Sequence, residues 1–395
     1  MICVAVTRMK NEADIAEAFV RHHAQYFDTI IVLDDGSADG TYEILQKMER
    51  AGFHLILRRE ATIGKDQSRF MTRLMRIAFD KLRADWVAPL DADEFIELPA
   101  GTLLADILPE RLDRLIGMPW SNFVWTPADD ESDEINPVVR LRLRLPPRSR
   151  LPKVLIPADV GALERQAVIG QGNHDVSCQG MSVPTVHCDR LNLCHFPIRT
   201  ASQYASKIAI GYLQYAVFPD RQPGWGSHYD ESFRRLKMGM DEFVATMEKE
   251  SRTYALPPGW CNDGEPEVAP LRYMGGGLEY TTRQDSFLAN LLHHGEAMAE
   301  RLLKQTRELV SIEKMTMAAA HEISRGSLQE RLAAVFVWHQ RETQALGDRK
   351  IALERALEET TRTVNGLASR REELQGELAA ERTLATRSRA GLGSE

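Results

Sequence analysis

Three acids stand within four residues at Asp91–Ala92–Asp93–Glu94, directly behind the apolar run Trp86–Val87–Ala88–Pro89–Leu90. Read as a buried strand, that run sends Asp91 and Asp93 out of its carboxyl end on the same side, because side chains alternate along a strand. Two carboxylates that close repel unless a positive charge lies between them. A hard divalent cation, Mg²⁺ or Mn²⁺, shared with a substrate phosphate would satisfy both. The plainer reading is a solvated acidic turn. What decides between them is whatever else reaches the same end of the fold.

Short apolar, β-branched runs at 2–7, 29–33, 53–57 and 86–90 read as strands. Between them, Ile15, Ala18, Phe19, His22 and Tyr26 recur at helical spacing, 42–51 reads as a helix closed by Gly52, and 66–82 carries Phe70, Leu74, Ile77 and Ala78 on one side. Alternating strand and helix with continuously apolar strands predicts an α/β fold, a mostly parallel sheet covered by helices on both faces. Such sheets bind ligands at the carboxyl ends of their strands. Lys10–Asn11–Glu12, Asp34–Asp35, Gly64–Lys65 and Asp91–Asp93 all fall there, so four polar clusters converge on one rim.

Further strands are expected at 116–124, 138–145, 153–157 and 191–196, and helices at 202–218 and 231–253. Beyond 284 the chain is highly charged and helical in pattern. Leu353, Leu357, Val364, Leu367, Leu374 and Leu378 give a heptad-like seam, a possible coiled coil and route to a homo-oligomer. This suggests a catalytic domain over 1–218, a loop-rich and helical extension over 219–283, and a helical region over 284–395.

The 395 residues carry a net charge of −8, which leaves no basic surplus for a general nucleic-acid binder. Five cysteines without a Cys-x-x-Cys pair suit a reducing cytoplasm, and the spacings of His174, Cys178, His187, Cys188, Cys194 and His195 match no standard zinc module. Neither a signal peptide nor an apolar run of membrane-spanning length is read, so a cytoplasmic protein, at most peripheral to a membrane, is expected.

The stretches Val6–Thr7–Arg8–Met9–Lys10–Asn11–Glu12, Val32–Leu33–Asp34–Asp35–Gly36–Ser37–Ala38–Asp39–Gly40–Thr41 and Asp91–Ala92–Asp93–Glu94 together resemble the family 2 glycosyltransferases of the GT-A fold. The resemblance runs over about 4–211; Lys153, Gly172–Asn173–His174 and His195–Phe196–Pro197 are similar to a subgroup with a late His-Tyr/Phe-Pro segment. It implies metal-dependent transfer of a sugar from a UDP-, GDP- or dTDP-sugar to an acceptor hydroxyl, in polysaccharide or glycoconjugate synthesis. Asp34 or Asp35 would bond the base, with Lys10, Asn11 and Glu12 lining the pocket. Gly64, Lys65 and Arg69 would lie near the ribose or diphosphate. Asp91 would touch ribose or metal, Asp93 would be the main metal ligand, and His174 a third metal or phosphate contact. The Glu-Asp pair that supplies the base in many relatives is absent; Asp175 is the candidate, with Glu94 and Asp189 behind it.

Plainer roles compete. Asp39 reads as the cap of the second helix, Lys65 and Arg69 as solvated charges, His195 as a core histidine, Trp120 and Trp125 as core, and Arg140, Arg142 and Arg144 as a solvated strand face. A phosphatase of the haloacid-dehalogenase kind also uses Asp-x-Asp, but on its first strand. A sugar nucleotidyltransferase would need a glycine-rich phosphate cradle in the opening loop. A scaffold acting through its helical tail is the non-enzymatic alternative.

Overall fold

The computed structural model describes residues 1–61, 67–161, 166–216, 226–254, 264–282, 288–300, 303, 304 and 307. Residues 1–300 form one compact unit and 301–395 a second. The heptad-like seam lies outside the described residues, as do Gly64 and Lys65.

Strands β1 (Cys3–Met9), β2 (Thr29–Asp34), β3 (Leu55–Arg59) and β4 (Trp86–Pro89) pair in parallel in the order β3-β2-β1-β4. Helices α1 (Ala16–His23), α2 (Thr41–Arg50) and α3 (Gln67–Leu82) connect them. The strands are mainly apolar because both faces are covered, with polar residues gathered toward their carboxyl ends. Ala5, Val32 and Ala88 pack with Ile15, Phe19 and Leu45 on one side, whereas Val4, Val6, Ile31, Leu33 and Val87 pack with Phe70, Leu74 and Ala78 on the other. Alternation along each strand thus feeds two cores, and it brings the ends of β2 and β4 to the same rim.

The second half of the sheet is mixed. β5 (Glu94–Glu97) and β6 (Leu115–Val124) are followed by helices α4 (Pro127–Asp130) and α5 (Pro137–Arg140), β7 (Leu143–Arg144), β8 (Arg148–Pro157) and α6 (Ala158–Gly161). β8 runs antiparallel to both β4 and β6, joining the two halves. A small sheet of β9 (Ala167–Ile169), β10 (Val176–Cys178) and β11 (Met181–Ser182) precedes β12 (Thr185–His187) and β13 (Asn192–His195). β13 lies parallel to β6 and antiparallel to β5, in a register that sets His195 opposite Glu94. Helices α7 (Ala201–Ala216), α8 (Ser227–Met238) and α9 (Met240–Thr253) follow, then β14 (Glu267–Val268) against β7.

Three expectations change. The alternating segment 138–145 is not one strand: Pro137 stands at the first helical position behind Asn136, whose Oδ1 accepts from Val138 N at 3.2 Å, and this starts α5 instead. Arg140 is consequently buried, donating to the carbonyls of Glu134 and Arg199, rather than on a solvated strand face. The helix expected at 231–253 is two helices, broken where Gly239 takes φ 136. Glu94, read as the end of an acidic turn, begins strand β5.

Candidate active site

The loops after β1 and β2 are bolted together by short polar side chains. Asn11 takes φ 55, a left-handed conformation that asparagine tolerates, and its Oδ1 accepts from Ala38 N at 2.9 Å while its own N–H reaches Ser37 Oγ. Glu12 N donates to Thr41 Oγ1 at 2.8 Å, and Ala13 N to Asp39 Oδ2 at 3.0 Å. Asp39 also accepts from Thr41 N, so it stands at the start of α2 as expected but ties two loops rather than capping one helix.

Asp34 and Asp35 are both fully buried at the end of β2. Asp34 accepts from Gly36 N and Ser37 N and pairs with Arg59 Nε at 3.2 Å. Burial raises its pKa, against the hydrogen bonds from Ser37 and the charge of Arg59. Asp35 meets Arg8 Nη2 at 2.5 Å and Lys10 Nζ at 3.4 Å. Lys10, Asn11, Glu12, Asp34 and Asp35 therefore do share one rim.

Asp91 and Asp93 lie together in sequence but face different partners. Asp91, half-buried, accepts from Gln67 Nε2 at 2.6 Å, Asn173 Nδ2 at 3.1 Å and Lys153 Nζ at 2.9 Å. Lys153 donates to Asp91 and to Gly172 O at 2.7 Å, and its ammonium lies 2.7 Å from Glu94 Oε1 as an ion pair. Glu94 Oε2 in turn accepts from Asp91 N at 2.9 Å. Burial pushes the Glu94 carboxyl up to about 8, with Asp91 adding and Lys153 opposing. Enclosed in this way, Glu94 positions Asp91 and the 170–175 loop; as the alternative base it is displaced by its burial.

Asp93 turns to a different set. Its Oδ2 meets Lys207 Nζ at 2.6 Å and Arg199 Nη1 at 3.9 Å, and its Oδ1 faces His195 Nε2 at 3.6 Å. Burial would raise its pKa, but the charges of Lys207 and Arg199 outweigh burial and hold it well below the usual carboxylate range. Arg199 is fully buried and reaches back to Glu12 Oε2 at 2.5 Å and Asp14 Oδ2 at 2.6 Å, linking the first loop to the last.

The neighbours of His195 decide its tautomer. Asn122 Nδ2 donates to the carbonyls of Ser251 and Tyr254, so its Oδ1 is the acceptor for His195 Nδ1 at 2.8 Å. Burial lowers the His195 pKa, so the ring is neutral at pH 7 and Nε2 presents a lone pair toward Asp93 Oδ1. A lone pair and a carboxylate oxygen that close call for a proton or a cation between them. Asp93 and His195 therefore fit two ligands of a divalent ion whose other ligands are phosphate oxygens and water, with Asn122 fixing the ring as outer partners do. Among the described residues no group of three or more His, Cys, Asp or Glu converges in that way.

His174 is thus replaced by His195 in the candidate metal set. His174 Nδ1 donates to Pro152 O at 3.2 Å, and burial drives its pKa down to about 4. Its ring packs on Gly172, where φ is 79 and an added Cβ would sit 2.8 Å from the ring. Asp175 is exposed, with its carboxylate against Gly170, in the same loop that sends Asn173 to Asp91. Asp189 is exposed beyond β12, and Arg69 is exposed on α3 with its guanidinium 5.8 Å from the Phe70 ring. Trp120 and Trp125 are buried, as expected of core residues. Sequence reasoning left Gln67, Arg199 and Lys207 without a role; the only signal for the last two was their place just after His195–Phe196–Pro197.

Residues 3–103 match the family model described as glycosyl transferase family 2. The chain is 32% identical over 117 residues to glycosyltransferase AglJ of Haloferax volcanii, a match covering 29% of this chain and 35% of that one, so it spans about a third of that relative's length. Similar solved structures include TarS 1–349 of S. aureus (14% identity, TM-score 0.30, 69% of this chain and 100% of that one). The mannosyltransferase PcManGT of Pyrobaculum calidifontis, solved with GDP-Man and Mn²⁺, gives 15% identity and a TM-score of 0.33 over 65% of this chain and 76% of that one. No described helix is long and apolar enough to cross a membrane. Residues 3–103 are thus similar to the family 2 glycosyltransferases, and the sheet that those residues begin is that of a mixed, mostly parallel α/β fold.

Proposed function

We propose that this chain transfers a sugar from a nucleotide-sugar donor, a UDP-, GDP- or dTDP-sugar, to the hydroxyl of a glycan or similar acceptor. The observation that carries the reading is the convergence, at the carboxyl ends of β1, β2 and β4, of the interlocked 10–14 loop, Asp34–Asp35 and the Asp91–Asp93 pair within a family 2 segment. Lys10 to Glu12 and Asp34–Asp35 would border the nucleoside, and Asp91, held by Lys153, Gln67 and Asn173, would orient the ribose. A divalent cation, Mn²⁺ or Mg²⁺, would be held by Asp93 and His195 and would neutralise charge on the departing diphosphate. Asp175, exposed on the loop whose Asn173 binds Asp91, would take the proton from the acceptor hydroxyl.

Thermal-shift titration of the full chain with UDP-, GDP- and dTDP-sugars, each with Mn²⁺ and with EDTA, tests the reading. At least one donor should raise the midpoint, more strongly with Mn²⁺, and Asp175→Asn should keep that shift while losing transfer. A chain that none of the donors stabilises under either condition is not an enzyme of this class.

A further inference from the structure

Three cations surround the Asp91–Asp93 pair, and two are fully committed to protein oxygens. Lys153 is 5% exposed, and its ammonium is enclosed by three oxygens within 2.9 Å, hydrogen-bonded to Asp91 and Gly172 O and ion-paired with Glu94. Arg199 is 0% exposed and divides itself among Glu12, Asp14, Asp93 and the carbonyl of Phe196. Lys207 differs in both respects. Its side chain is 17% exposed, and among the described residues its oxygen acceptors are two, Asp93 Oδ2 at 2.6 Å and Pro197 O at 3.2 Å. An ammonium has three N–H donors, so Lys207 alone in this group keeps both a donor and accessible surface.

We propose that Lys207 is a diphosphate-contact residue, its ammonium donating to an oxygen of the phosphate distal to the nucleoside while it stays on Asp93. This rests on the donor-site reading above and adds a residue to it. Helix α7 projects the lysine from behind Pro197, and the Tyr254 ring, 4.9 Å from Nζ, limits where the ammonium can go. The chemistry calls for a cation at that corner. As the bond from the sugar's anomeric carbon to the distal phosphate breaks, the electron pair stays on the phosphate oxygen, while the acceptor hydroxyl bonds to that carbon and gives its proton to the base. The diphosphate gains one negative charge, and a flexible ammonium can follow it. The competing reading makes Lys207 only a counter-ion that lets Asp93 be buried.

The two differ in what the nucleotide feels. Isothermal titration of the full chain in Mn²⁺ with UDP and UMP, and with GDP and GMP, separates the distal phosphate from the rest. Lys207→Met should weaken the diphosphate by about tenfold or more and leave the monophosphate within about twofold, as expected for loss of one charge-assisted hydrogen bond. Lys207→Arg should restore most of the difference. Lys207→Gln, which keeps a donor for Asp93 without the charge, carries the test if Lys207→Met does not fold. An unchanged ratio of diphosphate to monophosphate affinity in the folded variants, whether both weaken or neither does, overturns the proposal and leaves the donor site standing. A wild-type chain that binds none of these nucleotides, in Mn²⁺ or in EDTA, takes down the donor-site reading and this inference with it.

Discussion

Asp34–Asp35 and Asp91–Asp93 are two aspartate pairs on one rim, and their charges are settled in opposite ways. Among the described residues the first draws mainly on partners from the first 59 residues: amides of Gly36 and Ser37, Arg8, Lys10 and Arg59, with Gln214 as a late addition at 3.4 Å. The second is served by Gln67 of α3 and, from later in the chain, by Lys153 of β8, Asn173 of a loop, His195 of β13, Arg199 just before α7 and Lys207 within it. The titration directions follow. Burial wins at Asp34 and raises its pKa, whereas at Asp93 the surrounding cations overcome burial and lower it. The first pair is a closed element of local architecture. The second is a junction where several late segments meet, and it is there that binding a ligand would change the balance of charge.

The largest expected effect comes from breaking that junction. Asp93→Ala leaves Lys207, Arg199 and His195 facing one another without their common anion. Removing one partner of a buried ion pair costs about 3–5 kcal/mol. Urea unfolding should show a loss of that order, with sugar transfer abolished, while Asp93→Asn should recover much of the stability and none of the transfer. Asp35→Ala should also destabilise, through Arg8. If Asp93→Asn transferred sugar as fast as wild type, the two pairs would be alike, both structural, and the contrast would fail.

That contrast also marks what could be read from the chain. The parallel half was legible because its central strands are largely apolar on both faces and each helix shows one apolar stripe; 29–33 and 86–90 were placed almost to the residue. The Asp34–Asp35 surroundings were legible for the same reason, since their partners are close in sequence. His195 and Lys207 lie 102 and 114 residues from Asp93, given the antiparallel pairing of β13 with β5 and the helix beyond it. Glu94–Glu97 is too short and too polar at its ends to announce a strand, so nothing local predicted that His195 would stand opposite Glu94. The resemblance pointed to His174 as a histidine supplied by a late loop, whereas the pairing of strands places His195 beside Asp93.

A smaller loss should follow from Lys153→Met, which removes the positive charge between Asp91 and Glu94. With its carboxyl raised to about 8, Glu94 is already largely protonated at pH 7. Asp91 is then the main carboxylate left without its cation, so about 2–3 kcal/mol is expected, below the Asp93→Ala value. The cost should grow with pH. In the wild type the Glu94 carboxyl already titrates near 8 against an ordinary 4.5, raised by burial and by Asp91. A raised folded-state pKa contributes stability that is complete below about 4.5 and is lost as pH rises through 8. Glu94→Gln cannot ionise, so its unfolding free energy relative to wild type should climb steadily across that window, and a flat difference would show that Lys153 already keeps Glu94 charged.

The smallest effect is expected on the other pair. Arg59 touches Asp34 Oδ2 at 3.2 Å, but its side chain is 43% exposed, so water screens the charge. Its guanidinium also lies 4.3 Å from the Tyr42 ring and donates to Ser37 O at 3.1 Å. Asp34 does not depend on it, because the Gly36 and Ser37 amides already satisfy the carboxylate. Arg59→Ala should therefore cost only about 0.5–1 kcal/mol in urea unfolding, most of it from lost contact with Tyr42 and little of it sensitive to salt. A cost near that of Lys153→Met, falling steeply as salt is added, would mean that Asp34 relies on a distant cation as Asp91 does. The first pair would then be a second charged junction rather than a closed turn, and nucleotide affinity should fall with it.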